Sequence, residues 1–174
     1  MVSIINLTKN TIKKYSRIYL YFLKTSIAEV TSYRLHFVLL ITMDILFFVT
    51  TLFTVDFLFS YLSNIGQWNR EQFLFFTSVV LLIDSIHMTF ISENFWQLSH
   101  YIRLGQLDYI LLRPVNFLFS IFFRYIRPAS IISIFIAICL VIYFAKPLHL
   151  TLIDLSMLGL YIVLGLGLLI FLEI

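Results

Sequence analysis

Four stretches of roughly twenty apolar residues, separated by short charged clusters, limit what this chain can fold into more than any other feature. They cover about residues 36–59, 73–91, 128–145 and 150–172. A helix needs about 20 residues to cross the hydrocarbon of a bilayer, where every backbone polar group must be satisfied within the protein. The polar–apolar alternation of a membrane strand is absent, and runs such as 131–142 are apolar on every face, so the crossing elements are helices. Composition agrees. Only 12% of residues are charged, about half the ~25% of a soluble domain, so most of the surface must face lipid or other helices. The expected fold class is all-α, a polytopic transmembrane helix bundle with four spans in one domain, 1–174.

Basic residues set the orientation. Lys9, Lys13, Lys14, Arg17, Lys24 and Arg34 precede the first span, and the first loop has only Arg70. The second loop has Arg103, Arg113, Arg124 and Arg127, and the third only Lys146. Basic loops stay on the cytoplasmic side, so the N-terminus and the second loop are expected inside. The same clustering argues against a nucleic-acid partner, which would require the charge to be spread over one surface.

Residues 11–34 have the pattern of an interfacial amphipathic helix. Ile12, Tyr15, Tyr19, Phe22 and Leu23 recur at helical spacing while Lys13, Lys14, Arg17 and Lys24 take other faces. A helix packed on the rest of the protein is the alternative. Trp68 in the first external loop suits an interfacial anchor.

The loop at 92–127 is longer than a helix–helix turn requires and too apolar for a linker. Phe95, Leu98, Ile102 and Tyr101 form a helical stripe, and Gly105 offers a helix stop. A second short amphipathic piece covers 107–112, Arg113 should be extended before Pro114, and Pro114 can open the next helix. The expectation is a helical cytosolic elbow with exposed Arg and aromatic side chains, residue types common at interaction hot spots. A surface hairpin that merely caps the bundle fits the same residues.

Asp44 lies inside the first span, and Asp84 with His87 inside the second. A carboxylate in the bilayer costs at least about 2.5 kcal/mol, so these three should face a bundle interior or a watery path. His87, one turn from Asp84, could pair with either acid. The trio could serve as a proton relay, a substrate contact or a satisfied packing site. Ala129, Ser133 and Ala137 leave a smooth face on the third span, suited to close helix approach. No phosphate loop, zinc-protease motif or nucleophile elbow occurs, and Cys139 stands alone in an apolar run. No cofactor and no metal are expected.

The segment 102–116, IRLGQLDYILLRPVN, resembles a signature of bacterial ABC-type transport permeases of the ABC-2-like exporter class. The matching residues are Ile102, Gly105, Leu107, Asp108, Leu111, Leu112, Arg113, Pro114 and Asn116. Ile65, Gly66, Trp68 and Glu71, and Tyr33–Arg34, also resemble the family's pattern. The resemblance implies a permease of the bacterial inner membrane with no ATPase site of its own. It would pair with a cytosolic ABC ATPase and a second permease subunit, and carry a coupling helix in the loop between spans two and three. On this chain that coupling site falls on His100, Tyr101, Arg103, Leu104, Gly105, Leu107, Asp108, Arg113 and Pro114. The interfacial helix, in contact with membrane lipid, matches the connecting helix of such permeases. Family members usually have six spans, so a chain with four by Ile174 is expected to be C-terminally truncated. The rival readings are a non-transporting membrane scaffold or assembly protein, a non-functional permease fragment, and a membrane enzyme built on Asp84 and His87. The lack of a strongly charged pathway favours amphipathic or lipid-like cargo.

Overall fold

The computed structural model describes residues 2–62, 64–112, 115–148 and 152–173. Within these the chain is helical apart from short turns and one isolated bridge. The helices are α1 (Val2–Ser32), α2 (Arg34–Tyr61), α3 (Arg70–His87), α4 (Glu93–Arg103), α5 (Leu107–Leu111), α6 (Phe117–Phe122), α7 (Pro128–Ala145) and α8 (Leu152–Glu173). A π-helical segment, Met88–Ser92, joins α3 to α4, and a 3-10 turn, Lys146–Leu148, follows α7. Two compact units result, one of Met1–Arg34 with Phe90–Pro128, the other of Leu35–Thr89 with Ala129–Ile174.

The second unit holds the apolar helices. Among the described residues four helical runs are long and apolar enough to cross a membrane: Arg34–Tyr61, Arg70–Arg103, Pro128–Leu148 and Ser156–Glu173. The second of these is the most enclosed, with half of its apolar window buried. Its core is small. Phe48 of α2, Leu81 and Leu82 of α3 and Ala137 of α7 meet there, with Leu52, Ile86, Ile134 and Ile162 packed around them. The smooth face of α7 is the buried one, with Ala129, Ser130, Ser133 and Ala137 at most 5% exposed. Side chains this small let backbones approach, and the contact gains dispersion energy that lipid tails cannot match. Gly165 does the same for α8, since a Cβ there would lie 2.8 Å from the Ile83 side chain. Large apolar side chains elsewhere, such as Phe53, Phe135 and Phe171, point outward, as expected of helices solvated by lipid.

Polar groups on these helices are handled locally. Thr42, Thr50, Thr51 and Thr54 each donate a hydroxyl to the carbonyl four residues back. Ser78, Ser85 and Thr89 on α3 do the same. In hydrocarbon this costs the helix little and leaves no hydroxyl unsatisfied. Between α2 and α3 the chain reverses tightly. Ile65 and Trp68 exchange both backbone hydrogen bonds across a two-residue turn, and Gly66 takes φ 62°, a conformation glycine adopts without a Cβ clash. Asp56 at the end of α2 pairs with Arg70 at the start of α3. Trp68 packs on Phe73 and Phe76.

In the first unit the stripe of α1 has a protein partner. Tyr15 meets Phe119 edge-on at 4.8 Å, Phe22 stacks near Phe119 at 6.3 Å, and Tyr19 faces Phe123 at 6.5 Å. The Tyr15 hydroxyl also accepts the Asn116 amide proton at 3.3 Å. The opposite face of α1 remains exposed. There Leu20, Tyr21 and Ile27 interleave with Lys13, Lys14, Arg17 and Lys24.

Candidate functional site

The elbow is built around one glycine. α4 ends at Arg103, and Gly105 takes φ 64° just beyond it. The Gly105 amide donates to the Ile102 carbonyl at 3.2 Å and the Gln106 amide to the Tyr101 carbonyl at 3.0 Å. This pair of bonds is a Schellman closure, which satisfies helix-end carbonyls and reverses the chain into α5. Nothing lies within 4 Å of a Cβ placed at Gly105, so backbone conformation alone calls for glycine there. His100, Arg103, Leu104 and Asp108 are exposed around the corner, and Leu107 is half-buried. Arg113 and Pro114 lie outside the described residues. The restart comes later than the proline: Asn116 caps α6, its Oδ1 accepting the Leu118 amide proton at 2.9 Å.

Behind this corner stands a side chain that the sequence reading passed over. Asn94, 1% exposed, donates Nδ2 to the Tyr125 carbonyl at 2.8 Å and accepts the Tyr125 amide proton on Oδ1, also at 2.8 Å. The primary amide thus pairs with the Tyr125 backbone as a neighbouring strand would. Nδ2 also donates to the carbonyl of Phe90, within the π segment, at 2.9 Å. A π turn shifts the hydrogen-bond register of its helix, and this side-chain donor serves one carbonyl of that turn. The available signal was an asparagine between apolar neighbours in a segment otherwise reading as amphipathic helix.

Tyr101 and Tyr125 share a hydrogen bond through their hydroxyls. Arg124 lies over both rings, 5.1 Å from the Tyr125 centroid and 5.8 Å from that of Tyr101. Burial and the bond to Tyr101 push the Tyr125 hydroxyl up to about 12 against the lowering influence of the Arg124 charge, so it stays protonated at any physiological pH. Burial likewise raises Tyr19. Of the stripe Phe95, Leu98, Tyr101 and Ile102, the first three are half-buried and the last is not. Phe95 packs on Phe122 at 5.5 Å, while Ile102 is 59% exposed and Asn94 takes the most buried place.

Asp44, Asp84 and His87, the polar candidates on the apolar helices, all lie within the second unit. Asp44 of α2 accepts the hydroxyls of Ser130 and Ser133 of α7 at 3.1 and 2.9 Å on one carboxylate oxygen. His87 of α3, 4% exposed, has its Nε2 3.3 Å from the carboxylate of Glu173 on α8. That is ion-pair reach without hydrogen-bond alignment. The acid that His87 meets is therefore at the far end of the chain, a pairing that spacing within α3 could not suggest. Asp84 stands one turn earlier on the same helix, half-buried. Among the described residues no three His, Cys, Asp or Glu converge as metal ligands.

The family model for ABC-2 family transporter proteins matches residues 45–174. No curated protein and no solved structure matches the chain significantly.

Proposed function

This chain belongs to the ABC-2 family of transporter proteins, and from that premise we propose that it is the permease of an exporter whose power stroke comes from a separate subunit. Membership makes it a multi-pass membrane component of an ABC transporter, one that works with an ABC ATPase and is not itself the catalyst. Direction, mechanism and docking are our reading. ATP binding closes the ATPase pair, the elbow between α4 and α5 takes up that motion, and the spans alternate between inward-open and outward-open states. Such switching needs two packings of similar energy and a ligand that favours one of them. A second permease subunit completes the pathway. The N-terminus lies inside, with the exposed basic-apolar face of α1 on the inner membrane surface, where lysines meet anionic headgroups. The cargo is amphipathic.

The observation that carries the docking assignment is the glycine-closed corner. It presents His100, Arg103, Leu104 and Asp108 outward on helices held from behind by Asn94. A partner gains affinity from side chains already ordered before contact. Tyr101 acts from within, through Tyr125, and Leu107 anchors α5. Arg113 and Pro114 belong to the same motif. Asp44, Asp84 and His87 serve the switch between states rather than chemistry, since a carboxylate holding two serine hydroxyls is already a satisfied packing unit.

The test is co-purification of the chain, in mild detergent, with the ABC ATPase expressed beside it. The double variant Arg103→Ala with Asp108→Ala should lose the ATPase while keeping its helicity by circular dichroism. Undiminished capture removes the elbow from docking. If the wild-type chain captures no ABC ATPase, the exporter reading falls and the scaffold reading takes its place.

A further inference from the structure

Between α1 and the segment that follows α6 lies a cavity of about 370 Å³, lined by Phe22, Thr25, Ser26, Glu29, Arg124 and Tyr125. Its volume is at the lower end for small-molecule sites. Its charges are what distinguish it. Arg124 and Glu29 both border it, yet they form no ion pair with each other, and neither has another ionic partner among the described residues. Opposite charges that share a pocket without closing on each other leave room for a ligand carrying both signs.

The cationic side is preorganised. The cation–π contacts with Tyr101 and Tyr125 hold the guanidinium beside the cavity, where its N–H donors can grip a phosphate. Ser26 supplies the neutral contact. It is 8% exposed, lines the cavity, and has no hydrogen-bond partner among the described residues. Its hydroxyl is therefore available to a polar ligand in the cavity. Thr25, by contrast, is satisfied by the carbonyls of Tyr21 and Phe22. Phe22 gives the pocket an apolar wall for the start of an acyl chain or glycerol.

We propose that this pocket binds the headgroup of a phosphoethanolamine lipid of the inner leaflet, its phosphate on Arg124 and its ammonium on Glu29. A primary ammonium suits the carboxylate and the Ser26 oxygen, both hydrogen-bond acceptors. A quaternary ammonium offers no N–H and prefers aromatic faces, and here Arg124 already covers two of them. An anionic headgroup without an ammonium would bring a second negative charge beside Glu29. The proposal goes beyond the exporter reading and rests on it only for the inner-surface placement of α1. Its consequence is a lipid that bridges α1 and the segment leading out of the elbow unit.

The experiment is native mass spectrometry of the full chain, delipidated and then offered equal amounts of phosphatidylethanolamine, phosphatidylcholine and phosphatidylglycerol. The wild type should retain phosphatidylethanolamine at least fivefold over the other two. Arg124→Gln should lose that retention, and Glu29→Gln should bring phosphatidylglycerol level with phosphatidylethanolamine. Arg124→Lys, which keeps the charge, controls for folding and should retain an intermediate amount. Equal retention of the three lipids by the wild type overturns the proposal, as does an Arg124→Gln chain that still prefers phosphatidylethanolamine. Glycerophosphoethanolamine is added as a soluble competitor. If it displaces the lipid at equimolar amounts, the site reads a free headgroup and the lipid assignment is wrong. ATPase capture is scored separately, so failure here leaves the exporter reading standing, and the converse also holds.

Discussion

Replacing Asn94 with alanine removes three hydrogen bonds at once. They run to the Phe90 carbonyl at 2.9 Å and to the Tyr125 carbonyl and amide at 2.8 Å each. The site is 1% exposed, so water does not readily replace the lost partners. A net intramolecular hydrogen bond is worth about 0.5–1.5 kcal/mol, and stranded buried groups add to that. Three bonds give an expected loss of about 3 kcal/mol, or roughly a hundredfold in the local opening constant. Amide hydrogen exchange in detergent reads this directly. The Tyr125 amide should exchange about a hundredfold faster in Asn94→Ala, and amides in the middle of α7 should not change. Asn94→Asp should be at least as damaging, because a carboxylate accepts from the Tyr125 amide but cannot donate to two carbonyls. An unaltered Tyr125 exchange rate in Asn94→Ala would show that this side chain does not hold the elbow.

Three further outcomes follow from the same geometry. Gly105→Ala should destabilise the corner between α4 and α5 by about 1–2 kcal/mol, the cost of a left-handed L-residue, and Gly105→Asn by less. Limited proteolysis within 104–108 measures both, and equal cleavage of wild type and Gly105→Ala would contradict the backbone argument. Gly165→Leu should separate α8 from α3, because even a Cβ would lie 2.8 Å from Ile83. Gly165→Ala should cost far less, since the contact is with the flexible end of the isoleucine, and the midpoints of thermal aggregation in detergent should rank in that order. The Tyr125 hydroxyl is raised from the ordinary 10.0 to about 12, so its stabilising effect is complete below pH 10 and lost as pH rises through about 12. The difference between ultraviolet titrations of wild type and Tyr125→Phe should have its midpoint near 12, and a midpoint at 10 would deny both the burial and the bond to Tyr101.

The spans were legible because lipid imposes a crude rule, about twenty apolar residues without interruption, that hydropathy alone reads. Helix α7 runs from Pro128 to Ala145, starting at a proline and giving way to the 3-10 turn that contains Pro147. Gly105 was legible as a helix stop because only a few residue types tolerate its backbone angle. What escaped depends on contacts between distant residues or on hydrogen-bond register. Asn94 and Tyr125 are 31 residues apart, and the bond involves backbone atoms that every residue has. His87 and Glu173 meet only because α3 and α8 pack together. The π segment at Met88–Ser92 leaves hydropathy unchanged, since a one-residue shift in bonding does not alter composition. The stripe of α1 was read correctly as apolar, but periodicity does not say whether lipid or the aromatics of α6 cover it.

Site-directed cross-linking from the elbow to the ATPase tests the central claim most directly. In a Cys139→Ala background, single cysteines replace the exposed Leu104 and Asp108 on the elbow, and Gln67 on the turn between α2 and α3. A short bifunctional reagent is applied to the complex in native membranes. The account predicts ATPase cross-links from positions 104 and 108 and none from 67. Cross-links from 67, or an intact complex with none from 104 and 108, would contradict it.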